Sequence, residues 1–154
     1  MVLFLEAYAK VFLSFHGFIS FLAVVFMAAG VYLLYKRKAI DWGSGLSLVR
    51  WGGITYIVSF VLGLLIYPVF RVKVRAEYFD GSLPWATGIF EIKEHLASIG
   101  LFISIALLLY YYAFEIQNAQ KPVKQSFINL TFLTLVILVL NTIIGVILVG
   151  LKSI

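Results

Sequence analysis

Two histidines are the side chains of this sequence best suited to binding a metal or a haem iron. His16 lies near the start of the first long apolar stretch. His95 lies near the start of the third, where the charged segment 90–95 enters it. Ionisable side chains within apolar spans commonly serve a function, and imidazole is the usual ligand of haem iron. The two residues predict a shared ligand site, although a buried histidine can also be a hydrogen-bonded packing residue.

The composition indicates a membrane protein. The chain has 154 residues, of which 63% are hydrophobic and 12% are charged, whereas soluble domains contain about 45–50% apolar and about 25% charged residues. Its net charge of +5 comes mostly from basic residues that flank the apolar stretches, where lipid headgroups explain them. We therefore expect a lipid bilayer and not a nucleic acid as the partner. The absence of cysteine excludes disulfides and iron–sulfur clusters.

Four apolar stretches are long enough to cross a hydrocarbon core, which takes about 20 helical residues. They are residues 11–35, 48–67, 88–114 and 126–151. Pro68 is expected to end the second helix, and a long connection over residues 68–87 is expected to follow it. The first stretch is too long for a cleavable signal. The predicted fold is an all-α integral membrane protein, a four-helix up-and-down bundle in which residues 1–154 form a single domain.

Each predicted span has one stripe of small or polar residues, which membrane bundles turn away from lipid. The stripes are His16, Ser20, Ala23, Met27 and Gly30 on helix 1; Gly52, Tyr56, Ser59 and Gly63 on helix 2; Glu91, His95, Ser98, Phe102 and Ala106 on helix 3; and Thr134, Leu138, Asn141, Thr142 and Gly145 on helix 4. These residues are expected to face the interior, either as plain packing seams or around a cofactor.

The two histidines are expected at one depth, on helices that run in the same direction. At a rise of about 1.5 Å per residue, Gly63 and Gly145 fall within a turn of that level on the other two helices. This arrangement suits one flat macrocycle, with two imidazoles as axial ligands and glycines where its plane approaches backbone. The sequence thus predicts one haem b, bound by His16 and His95 near the face that carries the termini.

Three basic residues follow the second span on the same side, namely Arg71, Lys73 and Arg75. Arginine forms paired hydrogen bonds with carboxylates, so these residues are predicted to bind the haem propionates. The alternative is that they bind lipid phosphates or pair with neighbouring acidic side chains. Basic residues divide evenly between the two sides, and the triplet at residues 36–38 favours termini on the non-cytoplasmic side.

Other metal chemistry has less support. A structural zinc site takes four ligands, and a di-iron bundle takes carboxylates from all four helices. Glu91 and His95 lie four residues apart, so a non-haem site for iron, copper or zinc stays open. No phosphate-binding loop, nucleophile elbow or zinc-protease motif is present, which disfavours hydrolytic chemistry.

In its four spans and in His16 and His95, the chain resembles the small four-helix membrane cytochromes b. That resemblance implies one-electron transfer with quinol or another redox partner, including a partner subunit. It leaves open whether the chain is itself an oxidoreductase. Glu91, Glu94 or Tyr67 is placed to accept the proton that quinol oxidation releases. The alternative is a non-catalytic membrane anchor or assembly factor that handles haem or copper without a permanently bound cofactor.

Overall fold

The computed structural model describes residues 6–36 and 39–154, except for the side chains of residues 39–41. Its four long helices are α1 (Ala9–Lys36), α2 (Ala39–Phe70), α3 (Pro84–Ala113) and α4 (Lys121–Leu151). No β-strand occurs in these residues. Helix α1 packs against α2 and α4, and α3 packs against the same two helices. The predicted all-α four-helix bundle is confirmed. Arg37 and Lys38, which belong to the basic triplet at residues 36–38, lie outside the described residues.

All four long helices of the described chain are long and apolar enough to span a membrane. Even the shortest, α1, has 28 residues and measures about 42 Å, whereas a hydrocarbon core is about 30 Å thick. Large apolar side chains point outward along each helix, among them Phe21, Val61, Phe102 and Ile147. The chain is therefore built as a multi-pass membrane protein, as its composition predicts.

The predicted long connection between the second and third spans is wrong, because this segment is helical. Helix α2 continues through Pro68 and passes into a π-helix, Arg71–Phe79, followed by a single turn, Asp80–Ser82. We call residues 71–82 the α2 extension. Phe70 at the end of α2 and the apolar residues Val74 and Phe79 of the extension are spaced by four and five, which suits the wider i→i+5 turn of a π-helix. All three are buried, so packing overrides the helix-breaking signal of Pro68.

Residues 41–45 contain two glycines, a serine and an aspartate, a composition that predicts a turn, but the backbone from Ala39 onward is helical. Glycine at positions 43 and 45 lowers helix propensity by about 1 kcal/mol per residue. Gly45, however, packs against Leu34, and a Cβ there would lie 3.1 Å from that side chain. Close packing of α2 on α1 therefore explains a glycine that the sequence pattern attributes to a turn.

Helices α1 and α2 are closely packed along a seam that contains Gly30 and Gly52. A Cβ on Gly30 would lie 2.7 Å from Cγ2 of Val49, and one on Gly52 would lie 3.1 Å from the backbone nitrogen of Met27. Small residues at such seams let two backbones approach, which is how helices associate in lipid. This seam fixes which faces of α1 and α2 point into the bundle.

Two apolar clusters fill the ends of the bundle. The first includes Met27, Leu34, Val49, Leu107 and Phe127, and lies toward the α1–α2 and α3–α4 linkers. The second lies at the end that carries the termini, and its buried members are Phe70, Val74, Phe79, Ala86, Phe90 and Leu148. A cavity lies between the two clusters, and it is the candidate site.

Candidate functional site

The cavity has a volume of about 900 Å³ and is lined by all four helices. Phe70, Phe90 and Leu148 of the second cluster form its wall toward the termini, and Tyr56 and Leu138 of the first cluster line it as well. Ligand pockets typically measure about 300–1,000 Å³ and combine apolar walls with a few polar groups. This cavity has both properties.

His16 lines the cavity and is held in one orientation by α2. Its Nδ1 lies 2.8 Å from the backbone oxygen of Ser59 and 3.2 Å from the Ser59 hydroxyl. A carbonyl oxygen only accepts, so Nδ1 carries the hydrogen and Nε2 is left as an acceptor. The Ser20 and Ser59 hydroxyls are 2.6 Å apart, and Ser20 donates to the His16 carbonyl. This network connects α1 to α2 at the level of the ring.

Gly63 lies directly against the His16 ring. A Cβ at this position would lie 3.2 Å from Cε1 of the imidazole. The prediction that Gly63 lies at the level of His16 is therefore confirmed, and the group that occupies the space above the glycine is the imidazole itself.

Lys93 also lines the cavity, and its aliphatic chain packs against Gly145. A Cβ on Gly145 would lie 3.2 Å from Cε of the lysine. The part of the chain that the structure describes provides no ion pair or hydrogen bond for this ammonium group. An ammonium group inside a bundle with such apolar walls is costly, so a binding role explains it better than packing does.

Two acceptor atoms near the lysine also lack partners. Oε1 of Glu94 and Oδ1 of Asn141 are buried, and neither has a hydrogen-bond partner among the described residues. Both side chains line the cavity. Buried polar atoms are rarely left without partners, because each costs about 1–3 kcal/mol. These two oxygens are therefore acceptors available to a molecule that enters the cavity.

The structure does not bring His95 to His16. His95 is exposed on the outer surface of α3, where its Nδ1 donates to the Glu91 carbonyl at 2.7 Å. It lines a shallow surface groove with Glu91, Leu96 and Ile99, and it does not line the cavity. The bis-histidine arrangement is not present in this structure, and whether the chain binds haem stays a prediction.

The predicted inner face of helix 3 is wrong for four of its five members. All five (Glu91, His95, Ser98, Phe102 and Ala106) are exposed, and of these Ser98 alone lines the cavity. The residues that are buried on α3 are Ala86, Phe90, Gly100, Ser104 and Leu107. Lys93 is two residues from His95, so the two point about 200° apart around the helix. The predicted inner faces of the other three helices are confirmed, because all their members are buried or half-buried.

The basic residues after the second span pair with other protein groups. Arg75 binds the carboxylates of Glu91 and Asp80, and Lys73 lies 3.6 Å from Glu77 and 3.7 Å from Glu6. The Nη1 atom of Arg71 donates to the Tyr67 hydroxyl at 3.4 Å. None of the three basic residues lines the cavity. The alternative of acidic pairing describes Lys73 and Arg75, and the propionate role stays a prediction.

Of the three predicted proton acceptors, two line the cavity and one does not. Tyr67 and Glu94 line the cavity, whereas Glu91 lies outside it and pairs with Arg75. The described side chains contain no group of three or more His, Asp or Glu residues that could hold a metal ion. The cavity lining thus includes one imidazole (His16), one carboxylate (Glu94) and two ammonium groups, those of Lys93 and of the exposed Lys10.

Sequence reasoning missed Lys93, which it treated as a flanking basic residue. A signal was available in the small residues Ala97, Gly100 and Ser104, which follow Lys93 at helical spacing and share its face. In a membrane bundle, small residues mark an interface at least as strongly as polar ones. On α3 the two criteria point to opposite faces, and the structure follows the small residues.

No protein-family model matches the chain, and neither a curated protein nor a solved structure is significantly similar to it.

Proposed function

We propose that this chain is a multi-pass membrane protein that binds a membrane-soluble small molecule inside the bundle. The polar end of the molecule lies at His16, Lys93 and Glu94, and its apolar part lies along the walls formed by Phe60, Leu64 and other cavity residues. The observation that carries the proposal is the cavity of about 900 Å³, which Lys93 lines and in which a carboxylate oxygen of Glu94 and the amide oxygen of Asn141 lack partners among the described residues.

The charges of the cavity favour a neutral head. Lys10 also lines the cavity but is exposed, so Lys93 and Glu94 are the half-buried charged residues of the lining. These two carry opposite charges, so a phosphate or a carboxylate bound between them would add excess negative charge in a low-dielectric environment. The ammonium of Lys93 donates, whereas Oε1 of Glu94, Oδ1 of Asn141 and Nε2 of His16 accept. A head with carbonyl and hydroxyl oxygens on a ring satisfies both kinds of group. A quinone or quinol with an apolar tail has this chemistry.

Binding of a short-tailed benzoquinone, in its oxidised and reduced forms, tests the proposal. The protein is placed in lipid nanodiscs, and bound quinone is measured by equilibrium dialysis against protein-free nanodiscs. We expect saturable binding of one molecule per chain. Lys93→Met keeps the stem of the side chain and removes its charge, and is expected to weaken binding by about tenfold or more.

Lys152→Met is the matched control, because this lysine is exposed and lies over the Tyr78 ring, outside the cavity. It is expected to bind quinone as the unmodified protein does. Binding that does not exceed partition into empty nanodiscs would refute the proposal, as would equal binding by the two lysine variants.

A b-type haem is the second candidate, and the His16–Ser59 contact favours it. Histidines that bind metals commonly donate their other ring hydrogen to a backbone carbonyl, as Nδ1 of His16 does. Haem would supply one-electron transfer, with Nε2 of His16 as a ligand of its iron. Lys93 and Lys10 line this cavity, so they would pair with a propionate more readily than Arg71, Lys73 or Arg75.

Absorption spectra of the purified protein, oxidised and reduced, test this second candidate. A ligand set based on His16 alone predicts that His16→Ala abolishes the Soret band and that His95→Ala retains it. Loss of the band in both variants would favour the bis-histidine arrangement. A colourless, folded protein would refute both haem arrangements and favour the anchor or assembly role.

We also propose termini on the non-cytoplasmic side, on the basis of the basic residues in the α1–α2 linker. Lys93 lies within the cavity, so it no longer counts among the basic residues that flank the spans on the terminal side. Because the natural chain has no cysteine, labelling of Ser153→Cys by an impermeant maleimide in intact cells tests this orientation. Labelling only after the cells are permeabilised would show that the termini lie on the cytoplasmic side.

A further inference from the structure

The cavity is closed toward both ends of the bundle. Toward the termini, the rings of Phe70 and Phe90 stack with their centroids 5.1 Å apart, and both residues are buried. Toward the linkers, the buried residues Tyr56 and Leu138 line it. A molecule that reaches the cavity therefore has to pass between two helices.

Two of the four seams between neighbouring helices are closed beside the cavity. Between α1 and α2, the His16 ring lies against Gly63, and its Nδ1 lies 2.8 Å from the backbone oxygen of Ser59. Between α3 and α4, the Lys93 side chain packs against Gly145. The seams that remain are those between α1 and α4 and between α2 and α3.

The seam between α1 and α4 carries most of the cavity residues that are also exposed on the outside of the bundle. A residue with both properties lies at an opening. Among the described residues of the lining, the α2–α3 seam has two of this kind, Leu64 and Ser98. The α1–α4 seam has six, namely Lys10, Ser14, Gly17, Phe18, Val146 and Ser153.

This opening ends where α1 and α4 pack against each other. Two turns after Gly17, Val24 lies on the same face of α1, and three turns before Val146, Leu135 lies on the same face of α4. Both Val24 and Leu135 pack against the first apolar cluster. The same two helix faces are thus packed toward the linkers and open toward the termini.

Gly17 keeps the opening wide. Nothing in the described bundle lies within 4 Å of a Cβ built on this glycine, so packing within the bundle does not require it. Glycine inside a helix costs about 1 kcal/mol relative to alanine. A role at the opening explains the residue, because any side chain there would narrow it.

The edges of the opening change from polar to apolar with depth. Lys10, Ser14 and Ser153 lie nearer the termini, and Phe18 and Val146 lie about 10 Å deeper along their helices. An amphiphile in one leaflet has the same order, with its polar head at the interface and its apolar chain toward the bilayer centre.

We propose that the opening between α1 and α4 is a lateral entrance from the bilayer, and that the apolar tail of the bound molecule stays in it. The head then reaches His16, Lys93 and Glu94, which line the cavity behind the opening. This inference rests on the proposed function and specifies its ligand class. The ligand is an amphiphile that enters from the membrane and not from water, and the site does not select the length of its tail.

Photolabelling locates the tail. A benzoquinone with a diazirine on the first part of its tail is bound to the full-length protein in nanodiscs and irradiated, and the labelled residues are identified by mass spectrometry. We expect labels at Gly17, Phe18 and Val146, and an excess of unlabelled quinone should prevent them. Labels at Leu64 and Ser98 that the excess prevents would overturn the α1–α4 entrance and leave the proposed function intact. Labelling that the excess does not prevent would overturn both.

Gly17→Phe places a ring in the opening. Because the ring takes the space of the tail, it should weaken binding of the tailed quinone about tenfold more than that of the same head without a tail, as overpacking does. Gly88→Phe is the matched control, because Gly88 is exposed, does not line the cavity and has nothing within 4 Å of an added Cβ. Equilibrium dialysis in nanodiscs measures both quinones.

The comparison of the two glycine variants separates the two proposals. Equal loss of the tailed and tailless quinones in Gly17→Phe, or equal binding by Gly17→Phe and Gly88→Phe, would overturn the entrance. Absence of saturable binding by the unmodified protein would instead overturn the proposed function.

Discussion

The Lys93 side chain runs across Gly145, and a Cβ on that glycine would lie 3.2 Å from Cε of the lysine. This contact joins α3 to α4 and directs an ammonium group into the cavity. Lysine stems commonly lie along apolar surface while the charged end reaches a polar environment. The glycine therefore defines where the charge lies, and its replacement should move that charge.

Gly145→Leu is expected to displace Lys93 and to occupy part of the cavity. Because the new side chain takes the space of both the lysine and the ligand, quinone binding should fall by more than tenfold. Equilibrium dialysis in nanodiscs measures the effect. Gly150→Leu is the control, since nothing lies within 4 Å of a Cβ at that position. Unchanged binding by Gly145→Leu would mean that the ligand does not use this cavity.

The His16–Ser59 network should contribute measurably to the stability of the bundle. Ser59→Ala removes a buried hydroxyl that lies 2.6 Å from Ser20 Oγ and 3.2 Å from His16 Nδ1. Hydrogen bonds between membrane helices average about 0.6 kcal/mol, so the free energy of unfolding should fall by about 1 kcal/mol. Unfolding of the protein in mixed micelles by added SDS measures it.

Ser14→Ala is the control for this variant, because the Ser14 hydroxyl is exposed and bonds within its own helix to the Lys10 carbonyl. Its loss should change the free energy of unfolding by less than about 0.5 kcal/mol. Equal effects of the two serine variants would show that the network adds no stability beyond a local helix contact.

The inner faces of α1, α2 and α4 could be predicted from the sequence because small and polar residues coincide there. Ser20, Ser59 and Thr134 share their faces with Gly30, Gly52 and Leu138. On α3 the polar residues Glu91 and His95 lie on one face, and Gly100 and Ser104 lie on the other. Near a helix end, polar groups can reach headgroups or pair with a loop, so they need not face the interior.

The α2 extension could not be predicted from local signals. Pro68 removes one backbone hydrogen-bond donor and disfavours a helix at that point. Phe70, Val74 and Phe79 nevertheless bury against Ala86, Phe90 and Leu148. Those partners come from α3 and α4, so the contacts that stabilise the extension are long-range. A pattern within one segment does not contain them.

The α1–α2 seam should tolerate no side chain at Gly30. A Cβ there would lie 2.7 Å from Cγ2 and 3.0 Å from the backbone nitrogen of Val49, and the backbone atom cannot move without shifting α2. Gly30→Ala is expected to destabilise the bundle by about 1–3 kcal/mol, as overpacking does. SDS-induced unfolding measures the change.

Gly43→Ala should instead raise the free energy of unfolding. Nothing lies within 4 Å of a Cβ at that helical position, so alanine gains up to about 1 kcal/mol of helix propensity. If Gly30→Ala proves as harmless as Gly43→Ala, the two helices are not packed as closely as this structure has them.

Substitution of Arg75 tests whether this arginine forms a structural ion pair or binds the carboxylates of a ligand. Its guanidinium binds Glu91 on α3 and lies 3.7 Å from Asp80 on the α2 extension, and its side chain is 20% exposed. Since Glu91 and Asp80 are about half exposed, Arg75→Ala should lower the free energy of unfolding by about 1 kcal/mol or less. The Arg75→Ala and Glu91→Ala variants together with the double variant form a cycle that isolates the pair, and its coupling energy should account for most of that loss.

Quinone binding and any haem content should be unchanged in Arg75→Ala, because Arg75 does not line the cavity. Loss of either cofactor in Arg75→Ala, with the unfolding free energy preserved, would instead assign this arginine to the bound group and require α3 to be rotated from its position here.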